Sequence, residues 1–289
     1  MNLEIRQAKN DDIVEITRLF YETIQIINSR DYPQDAIDDW SSWHTDHDEW
    51  NTRISEQYFI VATLDNKIVG FASLATDGYL DLMFVHKDYQ RQGIANQLLL
   101  ELEKKAIEQN NQEIYSEVSI TAKAFFEKQG FCVKQKQLKK SRNKELENYC
   151  MTKEMITIQY AEQTDYLWLK EQDKWISDTV VQQKIENKEV YIVQKGGKII
   201  GWLRYNLFWD NVPFMNMIYF LDEYRQKRIG TKLVKYWEEE MKQKGYNSVL
   251  TSTQSNEGAQ HFYRKMGYKE IGGFKYFDDP YEIIFHKVF

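Results

Sequence analysis

The sequence has little cysteine, little proline and no long apolar run. Its 2 cysteines, Cys132 and Cys150, have no metal-ligand spacing, which favours two reduced structural thiols. Only 3 prolines, with 42% hydrophobic residues, exclude a disordered chain. No apolar stretch approaches the roughly 18 residues of a membrane-spanning helix. Met1 leads into a charged, strand-like stretch rather than a signal peptide. We therefore expect a globular, cytoplasmic protein.

An excess of positive charge is also absent. The formal charge is −6, which argues against a general nucleic-acid or anionic-membrane binder. We expect neither partner, although local basic positions remain available to phosphate groups. The 289 residues are enough for two domains of ordinary size. We expect the protein to be a monomer or a homodimer.

What the sequence does contain is a strand, loop and helix start at residues 85–95. An apolar run at 80–85 precedes the loop, and from Ile94 apolar residues recur on one helical face. Gly93 and Ala95 keep side chains small where unpaired helix N–H groups and the helix dipole can hold a phosphate. The alternative explanation for these small residues is that they only allow tight packing at the turn before the helix.

A second copy of this arrangement occupies residues 220–230. Both copies have the pattern Tyr-Gln/Arg-x-x-x-Ile-small between a β-run and an amphipathic helix. Gln/Arg-x-x-Gly-x-Gly/Ala in this setting resembles the acetyl-CoA pyrophosphate loop of the GCN5-related N-acetyltransferases (GNATs). In the second copy Arg228 stands where Gly93 stands in the first.

Three further matches indicate a duplication of the whole domain. Gly70 corresponds to Gly201, Gln90 to Arg225 and Gly130 to Gly267, at offsets of 131, 135 and 137. We predict an N-terminal domain at 1–154 and a C-terminal domain at 155–289. The resemblance implies an α/β protein of two tandem GNAT-type (acyl-CoA N-acyltransferase) domains, each three-layered (α/β/α) with a mixed central sheet.

Local patterns give the elements of each half. Asp12 and Glu15 have capping-box spacing before a helix that extends to Ile27. The aromatic stretch at 31–56 either covers a cleft or packs on the core. Other predicted strands and helices follow the same alternation: strands at 3–5, 58–62, 67–74, 79–85, 114–118, 149–152, 157–160, 190–193, 198–206 and 215–220, and helices at 94–109, at 122–129, from Thr164, after Ser177 and from Ile229.

The resemblance implies acetyl-CoA as the acyl-donor cosubstrate, with its pantetheine along one strand edge and its pyrophosphate on the loop of each half. Arg91, Arg225 and Arg228 are candidates for charge-assisted contacts, or are solvated loop cations. The implied cofactor-binding residues are, in the first half, Met83, Phe84, Val85, Gln90, Arg91, Gln92, Gly93, Ile94 and Ala95, and in the second Ile218, Tyr219, Phe220, Arg225, Gln226, Lys227, Arg228, Ile229 and Gly230.

Candidate catalytic groups differ between the halves. Residues 256–268 are similar to the family's Asn-x-x-Ala-x-x-x-Tyr-x-x-x-Gly-Phe helix, which implies that Tyr263 protonates the leaving thiolate and that Asn256 contacts the cofactor or the helix start. Packing against the sheet is the alternative for Tyr263. The first half has Phe126 at the Tyr263 position, and Phe126 has no proton to give.

Asp81 is an acid inside an apolar strand of the first half, and Asn216 aligns with it. It either binds or deprotonates an acceptor amine, or is a buried carboxylate tied into backbone hydrogen bonds. The polar run of His44, Asp46, His47 and Asp48 is interpreted as a solvated loop, so no metal site is expected.

We therefore predict a GNAT-family N-acetyltransferase that moves an acetyl group from acetyl-CoA to a primary amine of a small molecule, protein or peptide. One alternative is that one or both halves are non-catalytic acyl-CoA-binding modules, as Phe126 and Arg228 suggest. Another is a FemX-like aminoacyl transferase, a non-ribosomal enzyme built on paired GNAT-like domains, which no basic tract supports.

Overall fold

The computed structural model describes residues 3–289, so the expectation drawn from Met1 lies outside the described residues. The chain divides into two compact units, one ending at Met155 and the other beginning at Ile156. The N-terminal unit contains, in chain order, β1 (Leu3–Gln7), α1 (Ile13–Ile26), α2 (Gln34–Ser41), α3 (His47–Glu56), β2 (Tyr58–Leu64), β3 (Lys67–Leu74), β4 (Leu80–Val85), α4 (Ile94–Glu108), β5 (Glu113–Ser119), α5 (Ile120–Lys128), β6 (Cys132–Lys140) and β7 (Glu145–Glu154).

The strands of the N-terminal unit form two sheets that meet at one point. β1, β2, β3 and β4 form an antiparallel sheet in that order, and β5, β7 and β6 form a second one. β4 and β5 are related by a single parallel bridge between Tyr79 and Tyr115. Beyond this bridge the two strands diverge, and the gap between them is the feature that positions the site.

Helices cover both faces of the β1–β4 sheet, because its residues alternate between two apolar clusters. Ala72 and Leu80 pack with Leu98 of α4 on one face. On the other face Phe71 packs with Trp50 of α3, in a cluster that α1 also joins. The unit is therefore a three-layer α/β arrangement, as the family resemblance implies.

The C-terminal unit repeats this order with one continuous sheet. Seven strands are hydrogen-bonded in the order β13-β14-β12-β11-β10-β9-β8, and β11 and β12 are parallel. Its elements are β8 (Ile156–Tyr160), α6 (Tyr166–Gln172), α7 (Asp178–Glu186), β9 (Val190–Lys195), β10 (Lys198–Phe208), β11 (Val212–Phe220), α8 (Ile229–Gln243), β12 (Ser248–Gln254), α9 (Ala259–Lys265), β13 (Lys269–Phe274) and β14 (Glu282–Val288).

The core of the C-terminal unit also has two sides. Leu203 packs with Leu233 of α8 and with Tyr263 of α9. The neighbouring Trp202 points to the opposite face and packs with Val181 of α7. The mixed sheet between these helix layers confirms the predicted fold class.

Two local predictions were wrong or incomplete. Asp12 does not form the predicted capping box with Glu15, because its carboxylate binds Arg6 through bonds of 2.7 and 2.9 Å. The carboxylate of Glu15 instead accepts the main-chain N–H of Ile68 at 2.9 Å. The sequence patterns also missed β6, whose residues are exposed along almost the whole strand and so show no apolar alternation.

Both cysteines lie on paired strands, Cys132 on β6 and Cys150 on β7. Neither is in a disulfide, and Cys132 is exposed. Among residues 3–289, no helix is long and apolar enough to cross a membrane.

Candidate active site

The loop before α4 presents main-chain N–H groups to solvent. Arg91 and Gly93 both have a left-handed backbone, with φ of 62° and 84°. The first bond of the helix runs from the N–H of Gln97 to the carbonyl of Gly93 (3.1 Å), so the N–H groups of Ile94 and Ala95 have no acceptor within the helix. This geometry forms a concave set of donors suited to an anion.

The loop before α8 has the same backbone with different side chains. Gln226 and Arg228 are left-handed, with φ of 59° and 63°. Lys232 donates its N–H to the carbonyl of Arg228 (3.2 Å), which places Arg228 at the helix N-cap. The Arg228 side chain is exposed, whereas Gly93 has no side chain at the corresponding position.

The first residue of each loop motif turns back onto the preceding strand. Gln90 donates from Nε2 to the carbonyl of Val85 (2.6 Å), and Arg225 donates from Nε to the carbonyl of Phe220 (2.9 Å). A second guanidinium nitrogen of Arg225 binds Asp222 at 2.8 Å. These two side chains fix the end of the strand relative to the loop.

A hydroxyl marks the point where the central strands begin to separate. In the N-terminal unit Ser116 Oγ donates to the carbonyl of Leu80 (2.7 Å), and in the C-terminal unit Thr251 Oγ1 donates to the carbonyl of Met215 (3.0 Å). The sequence analysis did not single out either residue. Their equivalence depends on which strands lie side by side, and strand pairing is not given by spacing along the chain.

A cleft of about 1110 Å³ occupies the gap between β4 and β5. It extends from the loop before α4 to Asp81, and helix α5 contributes Phe126, which is 4% exposed. Trp40, Trp43 and Trp50 line it from the 31–56 stretch, which therefore both borders the cleft and packs on the core. Gln92 is not among the lining residues; the predicted residues that line the cleft are Asp81, Met83, Phe84, Val85, Gln90, Arg91, Gly93, Ile94 and Ala95.

Asp81 is held by side chains rather than by the backbone hydrogen bonds considered from the sequence. Arg53 Nε and Gln57 Nε2 both donate to its Oδ2, at 2.9 and 3.1 Å. Arg53 also binds Glu49 at 3.2 Å. No bond to Asp81 Oδ1 is found in residues 3–289, so this oxygen can accept a hydrogen bond from a ligand.

A second carboxylate, Glu117, borders the cleft from β5 and was missed. It accepts bonds from Tyr79 (3.3 Å) and Gln137 (3.1 Å) and pairs with Lys139. Burial, followed by the charges of Glu117 and Asp81, raises the pKa of Tyr79 well above its ordinary value. The sequence feature that could have identified Glu117 is an acid on β5, the strand after α4, between the buried Ser116 and Val118.

Tyr263 lies in the core of the C-terminal unit and is 4% exposed. Its ring contacts Tyr268 and Phe285. Burial raises the pKa of Tyr263 to about 12, so the hydroxyl is protonated at neutral pH. Asn256 is exposed in the turn before α9, whose N-cap is Gly258 and not Asn256.

No group of three or more His, Cys, Asp or Glu side chains in residues 3–289 is arranged to hold a metal ion. His44 Nδ1 lies 2.8 Å from the carbonyl of Ser41, and Asp46 caps α3 through the N–H of Glu49 (3.4 Å). These polar residues therefore have structural partners at the start of α3.

Comparison with known proteins identifies the family of both halves. Residues 28–155 match the model of the acetyltransferase (GNAT) domain, and residues 150–268 match that of the acetyltransferase (GNAT) family. The uncharacterized N-acetyltransferase YafP of Escherichia coli K12 is 30% identical over 130 residues, which span 45% of this chain and 81% of the relative.

A solved structure gives the same identification. A GCN5-related N-acetyltransferase from Rhodopseudomonas palustris is 28% identical with a TM-score of 0.52, covering 54% of this chain and 97% of that chain. The PaiA N-acetyltransferase of Thermoplasma acidophilum, solved with coenzyme A, is 22% identical with a TM-score of 0.47, covering 53% and 99%. This chain is thus a member of the GNAT family, an acetyltransferase with two GNAT domains in tandem.

Proposed function

We propose that the N-terminal unit transfers the acetyl group of acetyl-CoA to a primary amine bound beside Asp81. The observation that carries this proposal is the single cleft that joins the anion-binding loop to that carboxylate. We also propose the domain boundaries expected from the sequence, 1–154 and 155–289.

The residues of the N-terminal unit fit acetyl-CoA as the donor. A Cβ added to Gly93 would meet no atom within 4 Å, so a phosphate can approach the loop N–H groups closely. Met83, Phe84 and Val85 border the gap on the side facing away from β3, where an extended group can lie along the strand. When bound, acetyl-CoA supplies an activated acyl group and a thiolate leaving group.

Asp81 orients the acceptor in this proposal. Arg53 and Gln57 engage Oδ2, which leaves Oδ1 to accept a hydrogen bond from the amine, and also its proton directly or through water. The aligned position in the C-terminal unit is Asn216, which cannot take a proton. Asp81→Asn therefore gives the N-terminal unit the side chain of its counterpart with little change in volume.

The proposed catalytic group of the C-terminal unit is Tyr263. A proton donor to a thiolate must hold its proton at neutral pH, as a tyrosine already does at its ordinary pKa; burial raises the pKa of Tyr263 further, which makes its hydroxyl a weaker acid. Cofactor binding there is assigned to the loop from Arg225 to Gly230, to the strand end from Ile218 to Phe220, and to Asn256. Arg228 is the observation that favours a second candidate for this unit, binding without turnover.

The first test is a calorimetric titration of acetyl-CoA into the full chain and into Gly93→Glu and Gly230→Glu. Each glutamate places a carboxylate where the pyrophosphate would lie, so each variant should lose the site of its own unit. Gly93→Ala and Gly230→Ala are the controls, because they add a side chain at the same backbone position without a charge. Absence of any acetyl-CoA binding by the parent chain would refute the proposal.

The second test separates binding from transfer. Asp81→Asn should lower kcat by about 10²–10⁴, the range for a lost general acid or base, with the Kd for acetyl-CoA unchanged. Tyr263→Phe should lower the rate only if the C-terminal unit turns over. A fully active Asp81→Asn enzyme would show that Asp81 has no part in the chemistry.

A further inference from the structure

Residues 31–46, which lie between α1 and α3 and include α2, are bonded to the turn between β6 and β7. We name residues 31–46 the strap. The carboxylate of Asp39 accepts three successive main-chain N–H groups, from Arg142 and Asn143 at 2.9 Å and from Lys144 at 3.3 Å. A carboxylate that satisfies three adjacent donors fixes the position of the turn.

Trp43 adds a second attachment to the same turn. Its indole Nε1 donates to Ser141 Oγ at 3.2 Å, and the guanidinium of Arg142 lies 4.4 Å from the ring centroid. Arg142 also binds Asp46 at 3.2 Å. Hydrogen bonds, a cation–π contact and an ion pair therefore act together at one place.

The start of the strap is attached on the other side of the cleft. The hydroxyl of Tyr32 accepts the N–H of Ile120 (2.8 Å), where α5 begins, and donates to the carbonyl of Glu147 (2.6 Å) on β7. Thr121 Oγ1 donates to Asp31 at 2.7 Å. The strap is thus joined both to the helix after β5 and to the β6–β7 hairpin.

These attachments join two segments that line the same cleft as Asp81. Trp40 and Trp43 line it from the strap, and Ser141 and Asn148 line it from the hairpin. The Oδ1 atom of Asn148 is buried and has no hydrogen-bond partner among the described residues, so it is available to a donor group of a ligand.

We infer that the acceptor is a small-molecule amine enclosed between the strap and the hairpin, with a flat apolar body against Trp40 and Trp43, and not a polypeptide. This inference rests on the proposed function of the N-terminal unit. A polypeptide acceptor must continue out of the cleft beyond its reactive amine, and in this inference the bonded strap and hairpin, which both line the cleft, obstruct its path. Opening that path would break the bonds of Asp39, Trp43 and Tyr32 without replacing them.

The experiment uses two probes that need no knowledge of the natural acceptor. Coenzyme A is joined through an acetyl bridge to benzylamine in one probe and to the α-amine of a hexapeptide in the other. Their Kd values are measured by calorimetry with the full chain carrying Gly230→Glu. The peptide probe should bind at least about tenfold more weakly than the benzylamine probe, because it must displace the strap.

Asp39→Ala should reduce this ratio, because it removes three of the hydrogen bonds that hold the turn to the strap. Faster hydrogen exchange at the main-chain N–H groups of residues 142–144 would show that the variant is folded with the attachment lost. Trp43→Phe removes the indole donor and shrinks the ring over which the Arg142 guanidinium lies, so it should shift the ratio in the same direction. Asp11→Ala, at an exposed acid away from the strap, is the matched control and should leave the ratio unchanged.

Equal affinity for the two probes in the starting chain would overturn the inference and leave the proposed function intact. An unchanged ratio in Asp39→Ala, with exchange at 142–144 accelerated, would also overturn it. Failure of coenzyme A itself to bind would instead refute the proposed function, and the inference with it.

Discussion

Arg228→Gly should stabilise the C-terminal unit. Arg228 is left-handed with φ of 63°, and its exposed side chain makes no hydrogen bond or ion pair within residues 3–289. A side chain in this conformation costs roughly 1–2 kcal/mol, whereas glycine adopts it freely. The greater freedom of glycine in the unfolded chain offsets about 0.4–1 kcal/mol of that gain. The net stabilisation is therefore expected to be about 0.5–1 kcal/mol.

Calorimetric melting gives the size of this effect, and hydrogen exchange along α8 assigns it to the C-terminal unit. For a domain of this size the midpoint should rise by about 2–4 °C. Gly93→Ala is the reciprocal change. Because an added Cβ at Gly93 meets no atom within 4 Å, it should destabilise by about 1 kcal/mol through the backbone alone.

Lys227→Gly is the matched control, since Lys227 is also an exposed loop cation but its backbone is not left-handed. It should not stabilise the unit. If Arg228→Gly lowers the stability of α8 instead, the Arg228 side chain must make a favourable interaction larger than its backbone strain, and the reasoning fails.

Three further outcomes are expected from buried polar groups. Tyr32→Phe removes the hydroxyl that bridges two main-chain groups and should lower the free energy of unfolding by about 1–3 kcal/mol in denaturant titrations. Burial is the main cause of a lowered pKa at His86. The neutral imidazole therefore contributes its full stability above the ordinary pKa of about 6.5, and this stability is lost as the pH falls below that value. His86→Leu should make the melting temperature depend less on pH between pH 7 and 5. Arg204→Met leaves the carboxylate of Asp173 buried without its ion pair and should lower the stability of the C-terminal unit by about 3–5 kcal/mol. Adding Asp173→Leu should restore most of that loss, which thermal melting of the two variants side by side would measure.

The sequence predicted the elements whose apolar residues follow a regular period. The central strands and the long helices of both halves lie within a few residues of their expected bounds, because one buried face repeats along each. β6 has no buried face and was missed. Three strands of the C-terminal unit were also not anticipated, namely Ser248–Gln254, which supplies Thr251, Lys269–Phe274 and Glu282–Val288.

The candidate site was only partly predictable, because its contacts join residues far apart in the chain. The left-handed backbone at Gly93 follows from the residue type, but the same backbone at Arg228 is imposed by the surrounding strand and helix. Asp81 was identified as an acid in an apolar strand, yet its partner Arg53 lies in a short helix with no clear periodic pattern. Pairing between those two elements depends on tertiary structure, which spacing along the chain does not encode.

The hydroxyl bonds at the point of strand separation have a consequence for ligand length. From Leu80 to Val85, and equally from Met215 to Phe220, the strand runs about 17 Å at roughly 3.3 Å per residue. A ligand anchored at the loop and extended along the strand reaches the hydroxyl after that distance and can go no deeper without breaking the bond. The two copies have thus diverged in their loops and acids while keeping the same distance from the loop to the hydroxyl. Both should therefore accept an extended donor group of the same length.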